Sequence, residues 1–206
     1  MSDVERFVRF CESEFGSAVM DREAAYVSGH VSLDDRILDV GCGIGSLEER
    51  LAEYDVVGVD QSMEMVRTAR DRVSAPFVRG DARDLPIAAG VVDAVVFVAT
   101  LSFVPEVETA LSEAVRVLDS DGTLVALVLN TRSEYVQSNL EREGSYFQRM
   151  VHRDTAALAS KIFEYVDGTR EYALGIDGQT IVERTDPETA AITAIAGSPT
   201  RRPPSS

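Results

Sequence analysis

Apolar positions follow two different periods along the chain. Near the N-terminus they recur at helical spacing: Val4, Phe7, Val8 and Cys11, then Met20, Ala24 and Val27. This spacing predicts helix over residues 3 to 30, in two pieces broken near Gly16, with Asp21, Arg22 and Glu23 facing water. From Ile37 the pattern changes to short, mostly β-branched apolar runs: ILDV (37–40), VVGVD (56–60), PFVRG (76–80), DAVVFV (93–98) and TLVALVLN (123–130). Runs of this kind suit strands buried on both faces, as in a parallel sheet.

Helical segments separate these runs. Ser46 and Glu49 have capping-box spacing and open a short helix. Ser62 can cap the next one. Residues 105–118 place Val107, Ala110, Leu111, Ala114, Val115 and Leu118 on one face, with Pro105 at the first turn and Asp121-Gly122 as a stop signal. Alternating strands and helices predict right-handed βαβ units in an α/β, doubly wound sheet. Residues 132–166 read as mainly helical, interrupted at REGSY. Asp177-Gly178 then predicts a tight hairpin turn, and residues 189–197 a last strand.

The length of 206 residues suits one domain. The expected organisation is N-terminal helices at 1–34, a ligand-binding core at 35–130, a helical insert with C-terminal strands at 131–198, and a flexible tail at 199–206. No apolar run is long enough for a membrane span, and the N-terminus lacks a signal-peptide pattern, so a cytoplasmic protein is expected. Cys11 and Cys42 show no metal spacing, and His30 and His152 are far apart, so no metal site is expected.

The formal net charge is −15, and Lys161 is the only lysine. Such a surface points to a high-salt cytoplasm, where screening makes self-repulsion tolerable. It also disfavours nucleic acid as a partner, because that binding draws on basic patches.

The candidate chemistry centres on ILDVGCGIG, where a predicted strand runs into Asp39, Gly41, Gly43 and Gly45. Glycines let a backbone approach a ligand closely. The dinucleotide fingerprint G-x-G-x-x-G does not fit, since the frame from Gly43 reaches Glu48 and the frame from Gly41 reaches Ser46. Asp39 at the loop suits a cationic group better than a pyrophosphate. Asp60, at the end of the second strand, can accept the two hydroxyls of a ribose. The pattern suits a ligand with a ribose and a positive charge, which S-adenosylmethionine has.

The ordered set ILDVGCGIG, VVGVDQS, VRGDARDLPI, VVDAVVFV and ALSEAVRVLDSDGTLVAL resembles the class I S-adenosylmethionine-dependent methyltransferases of small-molecule type. The N-terminal and C-terminal segments are similar to an archaeal subgroup. The resemblance implies a Rossmann-like, seven-stranded, mostly parallel sheet with an antiparallel C-terminal strand or hairpin. It implies S-adenosyl-L-methionine as cofactor and a small-molecule acceptor, with a monomer or homodimer and no membrane partner.

By residue, the resemblance implies that Gly41, Gly43 and Gly45 wrap the methionine part of the cofactor. Asp39 holds the loop and the α-ammonium group. Asp60 takes the ribose, Gln61 and Met63 lie beside the adenine, and Asp81 with Ala82 reads its edge. Ala99 and Thr100 flank the methionine end. The segment Leu101–Pro105 lacks the histidine or asparagine pair often found there, which removes an obvious local base. Tyr26, Phe103, Tyr135, Tyr146, Phe147, Arg149 and His152 are acceptor-side candidates, with Tyr146 and His152 as candidates for catalysis. Two other readings stay open: a cofactor-binding, non-catalytic partner subunit, and an NAD-dependent oxidoreductase.

Overall fold

The computed structural model describes residues 2–200. Eight strands form one sheet: β1 (Arg36–Val40), β2 (Asp55–Asp60), β3 (Phe77–Arg79), β4 (Val92–Val98), β5 (Leu118–Leu129), β6 (Val166–Asp177), β7 (Thr180–Val182) and β8 (Ala190–Pro199). Their order is β3-β2-β1-β4-β5-β8-β6-β7. The first five pair in parallel, and β8, β6 and β7 add on antiparallel. The count is eight, not the expected seven, because the three-residue β7 pairs with the end of β6 as a separate strand.

The helices are α1 (Asp3–Glu12), α2 (Glu14–Ser28), α3 (Ser46–Arg50), α4 (Met63–Arg72), α5 (Val107–Val117), α6 (Glu134–Glu141) and α7 (Thr155–Tyr165). Strand periodicity sorts the core onto two faces. Val95, Phe97, Leu124, Ala126 and Val128 pack with Leu111 of α5 and with Leu158 and Ile162 of α7. Their neighbours Ala94, Val96, Val125, Leu127 and Leu129 pack on the other face with Val19, Ala24 and Val27 of α2. Val95, Val96 and Phe97 are fully buried. Each such side chain contributes about 1.5–3 kcal/mol of transfer free energy, which explains why these strands read as unbroken apolar runs.

Local signals set several boundaries differently from the sequence expectation. The N-terminal helices break at Ser13, not Gly16. Ser13 Oγ donates to the Phe10 carbonyl at 2.7 Å and accepts from the Gly16 N–H at 3.0 Å, so it closes α1 and caps α2. Gly16 serves close approach instead, since a Cβ there would collide with the Phe10 carbonyl oxygen. Ser46 does not cap α3. Gly45, with φ of 80°, occupies that position and Ser46 is the first helical residue. Ser62 does cap α4, accepting from the Met65 N–H at 3.3 Å.

Helix α5 ends at Val117, one residue short, and β5 begins at once, so Asp121-Gly122 lies within β5. In the hairpin, Asp177 pairs with Thr180, which makes Gly178 and Gln179 the loop. Only Gly178 has positive φ there, at 59°. Asp177 therefore belongs to the strand and not to the turn. At the C-terminus, Pro199 pairs with Val166, and the Thr200 N–H donates to the Tyr165 carbonyl at 2.8 Å. These two residues of the expected tail continue the sheet edge, and the remainder of it, 201–206, lies outside the described residues.

Candidate functional site

Strand β1 has β2 on one side and β4 on the other, so the chain order reverses at β1. Crevices at the carboxyl ends of strands form at such reversals. A cleft of about 1020 Å³ opens here, lined by Gly41, Gly43, Asp60, Gln61, Asp81, Ala82, Ala99 and Thr100. Its far wall comes from α1, α2, α6 and the C-terminal strands. A shallower hollow of about 510 Å³ includes Asp35, Asp93, Asp119 and Asp121, but Asp93 is already held by Arg36 there, at 2.8 Å.

The glycine loop turns its amides inward. The N–H groups of Gly41 and Cys42 donate to the Val59 carbonyl at 2.7 and 3.1 Å, and Gly45 N–H donates to the Cys42 carbonyl at 3.1 Å. Gly43 N–H donates to Asp60 Oδ2 at 3.0 Å. A phosphate cradle needs these donors free. The loop geometry therefore disfavours a pyrophosphate and leaves a closely approachable backbone. Gly41 has no substitute in this arrangement. Its φ is 85°, and a Cβ would collide with Thr100.

Asp60 carries the electrostatics of the opposite rim. Its Oδ1 accepts the Ser62 N–H at 2.8 Å, beside the Gly43 bond to Oδ2. A carboxylate has about four lone-pair directions, so two remain for a ligand in the cleft. Burial pushes its carboxyl above the usual value, against the pull of those two N–H groups. A diol is a fitting partner, since it donates twice without bringing charge. Asp81 also lines the cleft, but Arg83 holds it. Its Oδ1 accepts from Arg83 N and Nε, both at 2.9 Å, and Oδ2 accepts from a terminal guanidinium nitrogen at 2.7 Å. That pairing keeps the Asp81 carboxyl below its ordinary range.

Other expected residues fall elsewhere. Asp39 is 2 % exposed and lies beneath the loop, and it does not line the cleft. Among the described residues its Oδ1 has no hydrogen-bond partner, nor do the two carboxyl oxygens of nearby Glu48. Burial raises both groups, and the Glu48 charge raises Asp39 further; Glu48 is pushed up to about 7. Gly45 packs its Cα side against Phe77 and is also outside the lining. Met63 is exposed at the start of α4, and Met65 takes the cleft position.

On the acceptor side, Phe103, Tyr135, Tyr146, Phe147 and Arg149 line the cleft. The Phe103 and Tyr146 rings sit 4.8 Å apart, and the Arg149 guanidinium lies 5.3 Å from the Tyr146 ring centre. Arg149 also pairs with Asp3 of α1. Tyr26 and His152 do not reach the cleft. Tyr26 stacks on His30 at 4.4 Å. His152 Nε2 lies 2.8 Å from the Val104 carbonyl oxygen, which makes that nitrogen a donor and removes it as a base.

The sequence reading missed Glu23. It was expected in water but is 7 % exposed and lines the cleft. A signal was present: Glu23 is four residues after Val19 and four before Val27, both buried, so all three share one helical stripe. Burial pushes its carboxyl up to about 8. Leu174 was also missed. It lines the cleft with φ of 58°, at a point where the pairing of β6 with β8 steps from Ala173–Ile192 to Gly175–Ala190. The register is unchanged across these pairs, so Leu174 interrupts the ladder through its left-handed backbone and not through an extra residue.

Comparison with known proteins places this geometry. Residues 38–126 match the family model described as a methyltransferase domain. The chain is 40% identical over 95 residues to a malonyl-[acyl-carrier protein] O-methyltransferase of Geobacter sulfurreducens, covering 42% of this chain and 36% of that one. It is 32% identical over 150 residues to a 2-phytyl-1,4-naphtoquinone methyltransferase of Synechococcus elongatus, covering 66% and 64%. The chain thus spans less than two thirds of the length of these relatives. In fold it is similar to a Thermotoga maritima protein described as a S-adenosylmethionine-dependent methyltransferase and possible histamine N-methyltransferase. That match has TM-score 0.80 at 20% identity and covers 95% of each chain.

Proposed function

We propose that this chain, by domain and fold a class I S-adenosylmethionine-dependent methyltransferase, transfers the cofactor's methyl group to a small-molecule acceptor. One observation carries the reading: the loop spends its amides on its own backbone and on Asp60, and Asp60 keeps acceptor capacity toward the cleft. That combination suits a ribose beside a group that is not a phosphate. When bound, the cofactor supplies an activated sulfonium methyl.

The chain's residues supply binding and orientation. Asp60 holds the ribose hydroxyls. Gln61, Met65, Ala82 and Asp81 flank the base. Gly41, Gly43, Ala99 and Thr100 border the methionine end. Asp39 lies buried beneath the loop, outside the cleft lining, with its carboxyl raised by burial. Alignment of two reactants in one cleft can contribute roughly 7–11 kcal/mol, so a dedicated base is needed only where the acceptor must lose a proton. The cleft volume of 1020 Å³ is at the top of the range of about 300–1,000 Å³ usual for one ligand, which supports a second molecule beside the cofactor.

The acceptor is read as a free small molecule and not a nucleic acid, given the net charge of −15. The same charge supports a high-salt, archaeal-type setting, and the two free cysteines suit a reducing cytoplasm. Calorimetric titration with S-adenosylhomocysteine in molar salt tests the reading. Saturable one-to-one binding is expected. Absence of binding, or preferential binding of NADH, overturns it.

A further inference from the structure

The acceptor side of the cleft contains a buried carboxyl group to which no hydrogen bond is made among the described residues. Glu23 is 7 % exposed and faces the cleft. The nearest cation is Arg50, but its N–H groups are already committed. Nε donates to Asp21 at 2.6 Å, and the terminal nitrogens donate to Ser46 O, Ser17 O and Ser17 Oγ at 3.1 to 3.3 Å. Burial and Arg50 are the influences on the Glu23 carboxyl, with no hydrogen bond among them. A buried ionisable group without a partner costs several kcal/mol or stays protonated, and about 1–3 kcal/mol goes with even a neutral polar group left unmatched. A residue of that kind facing a cleft is a ligand contact.

The surroundings indicate what the ligand is. Glu23 shares its helix face with Val19 and Met20, which also line the cleft. Across from α2 stands Tyr135, whose ring meets Phe15 of α2 at 5.7 Å and Phe147 at 6.1 Å. Phe10 lines the same region. Asn139, one turn beyond Tyr135, donates its Nδ2 to the Tyr135 carbonyl at 2.8 Å, which leaves Oδ1 as an acceptor. Glu23 and Asn139 Oδ1 are acceptors on this wall, the Ser46 and Tyr135 hydroxyls lie beside them, and the rest is aromatic or aliphatic. Aromatic faces attract cations, and a buried carboxylate is best matched by one. The arginines at the rim are largely neutralised: Arg6 and Arg149 pair with Asp3, and Arg83 with Asp81 and Glu106. Arg142 stands exposed at the edge.

We infer that Glu23 is the recognition residue for the acceptor, and that the acceptor carries a basic amine on an apolar or aromatic frame. This rests on the methyltransferase reading of the same cleft and names its substrate class. An ammonium group pairs with Glu23, donates a second hydrogen bond to Asn139 Oδ1, and lies among the rings of Phe10, Tyr135 and Phe147. The groups facing Glu23 from the packed elements are Arg50 of α3, Asp39 of β1, Cys11 of α1 and Tyr135 of α6. Asp39 carries a raised carboxyl, and neither the Cys11 thiol nor the Tyr135 hydroxyl is charged near neutral pH, so the incoming ammonium is the charge that ionises Glu23.

The test uses 2-phenylethylamine and its neutral counterpart 2-phenylethanol, titrated calorimetrically into the full chain saturated with S-adenosylhomocysteine. The amine is expected to bind at least tenfold more tightly than the alcohol. E23Q is expected to bring the two within threefold, while thermal unfolding reports that the variant is folded. Repeating the wild-type titration in buffers of different ionisation enthalpy at pH 7 is expected to show about one proton released per amine bound, a readout that does not depend on any variant. Equal binding of amine and alcohol, a preference that survives E23Q, no binding of either probe, or binding of 2-naphthol in their place overturns the inference. If S-adenosylhomocysteine itself fails to bind, the methyltransferase reading falls. The amine preference of the chain alone then still decides the role of Glu23.

Discussion

The Asp60 carboxylate accepts the Gly43 N–H at 3.0 Å, joining the end of β2 to the middle of the glycine loop. One side chain thus does two jobs. It holds the loop's shape, and it presents its remaining lone pairs to the cleft. Asp60→Ala is expected to weaken S-adenosylhomocysteine binding roughly 10- to 100-fold, since hydrogen bonds to charged groups are worth about 1.5–3 kcal/mol. Asp60→Asn, which keeps one acceptor oxygen, should fall between. Calorimetric titration of both variants checks the order. Equal affinity in Asp60→Ala and the parent chain would remove Asp60 from the cofactor site.

Gly41 and Thr100 form a second pair whose coupling can be measured. Gly41→Ala faces a positive φ, at about 1–2 kcal/mol, in addition to the collision with Thr100. The expected destabilisation exceeds about 2 kcal/mol in denaturant unfolding. Adding Thr100→Gly should recover the collision part and leave the backbone part. A double-mutant cycle with no coupling would refute the contact.

Stability should fall as pH rises. Glu23 is pushed from an ordinary value of 4.5 up to about 8, and Glu48 up to about 7. The folded state therefore holds protons that the unfolded state has released. The stabilisation is fully present below about pH 4.5 and is lost progressively until the folded-state values are passed, near pH 8. At about 1.4 kcal/mol per unit, Glu23 accounts for a few kcal/mol of this slope. Glu23→Gln should flatten it, raising the unfolding temperature at pH 8.5 and changing it little at pH 4.5. An equal shift at both values contradicts the assignment.

Leu174 holds φ of 58° within β6 at the cleft wall. Leu174→Gly relieves about 1–2 kcal/mol of backbone strain while losing half-buried packing. The expected net change is within about 1 kcal/mol. Leu127→Ala, at a position 1 % exposed, should cost about 2–5 kcal/mol in the same unfolding assay. A large loss at Leu174 would show that packing and not strain dominates there.

With a net charge of −15, self-repulsion opposes compaction. Raising KCl from 0.1 to 1 M shortens the screening length from about 10 to 3 Å, so the unfolding temperature should climb over that range and then level. A temperature independent of salt would remove the basis for a high-salt setting.

The parallel core was legible before folding because its constraints are local. A strand buried on both faces is mostly apolar, and Ile37–Val40 and Val92–Val98 read that way except at Asp39 and Asp93. The glycine loop was equally clear, since close approach leaves its mark on the residue type itself. The boundaries that failed were those where one local signal had a stronger competitor. Ser46 has capping chemistry, yet Gly45 occupies the cap because a side chain there would meet Phe77 at 2.9 Å.

The acceptor side was legible only in part, since Phe103, Tyr135, Tyr146, Phe147 and Arg149 were expected and line the cleft while Glu23 and Leu174 were not, and the reason is geometric. Glu23, Tyr135, Leu174 and Ile192 come from four elements spread over 170 residues of chain, and only the closed sheet brings them to one wall. Hydropathy assigned Glu23 to water because a carboxylate on a helix usually goes there. Packing placed it inward, on the stripe of Val19 and Val27, where it makes no hydrogen bond among the described residues. His152 moved the opposite way, from a candidate base to a donor on the Val104 carbonyl. Patterns along the chain specify which surfaces must be hidden from water. Which polar groups are hidden with them follows from how distant surfaces meet, and no periodicity records that.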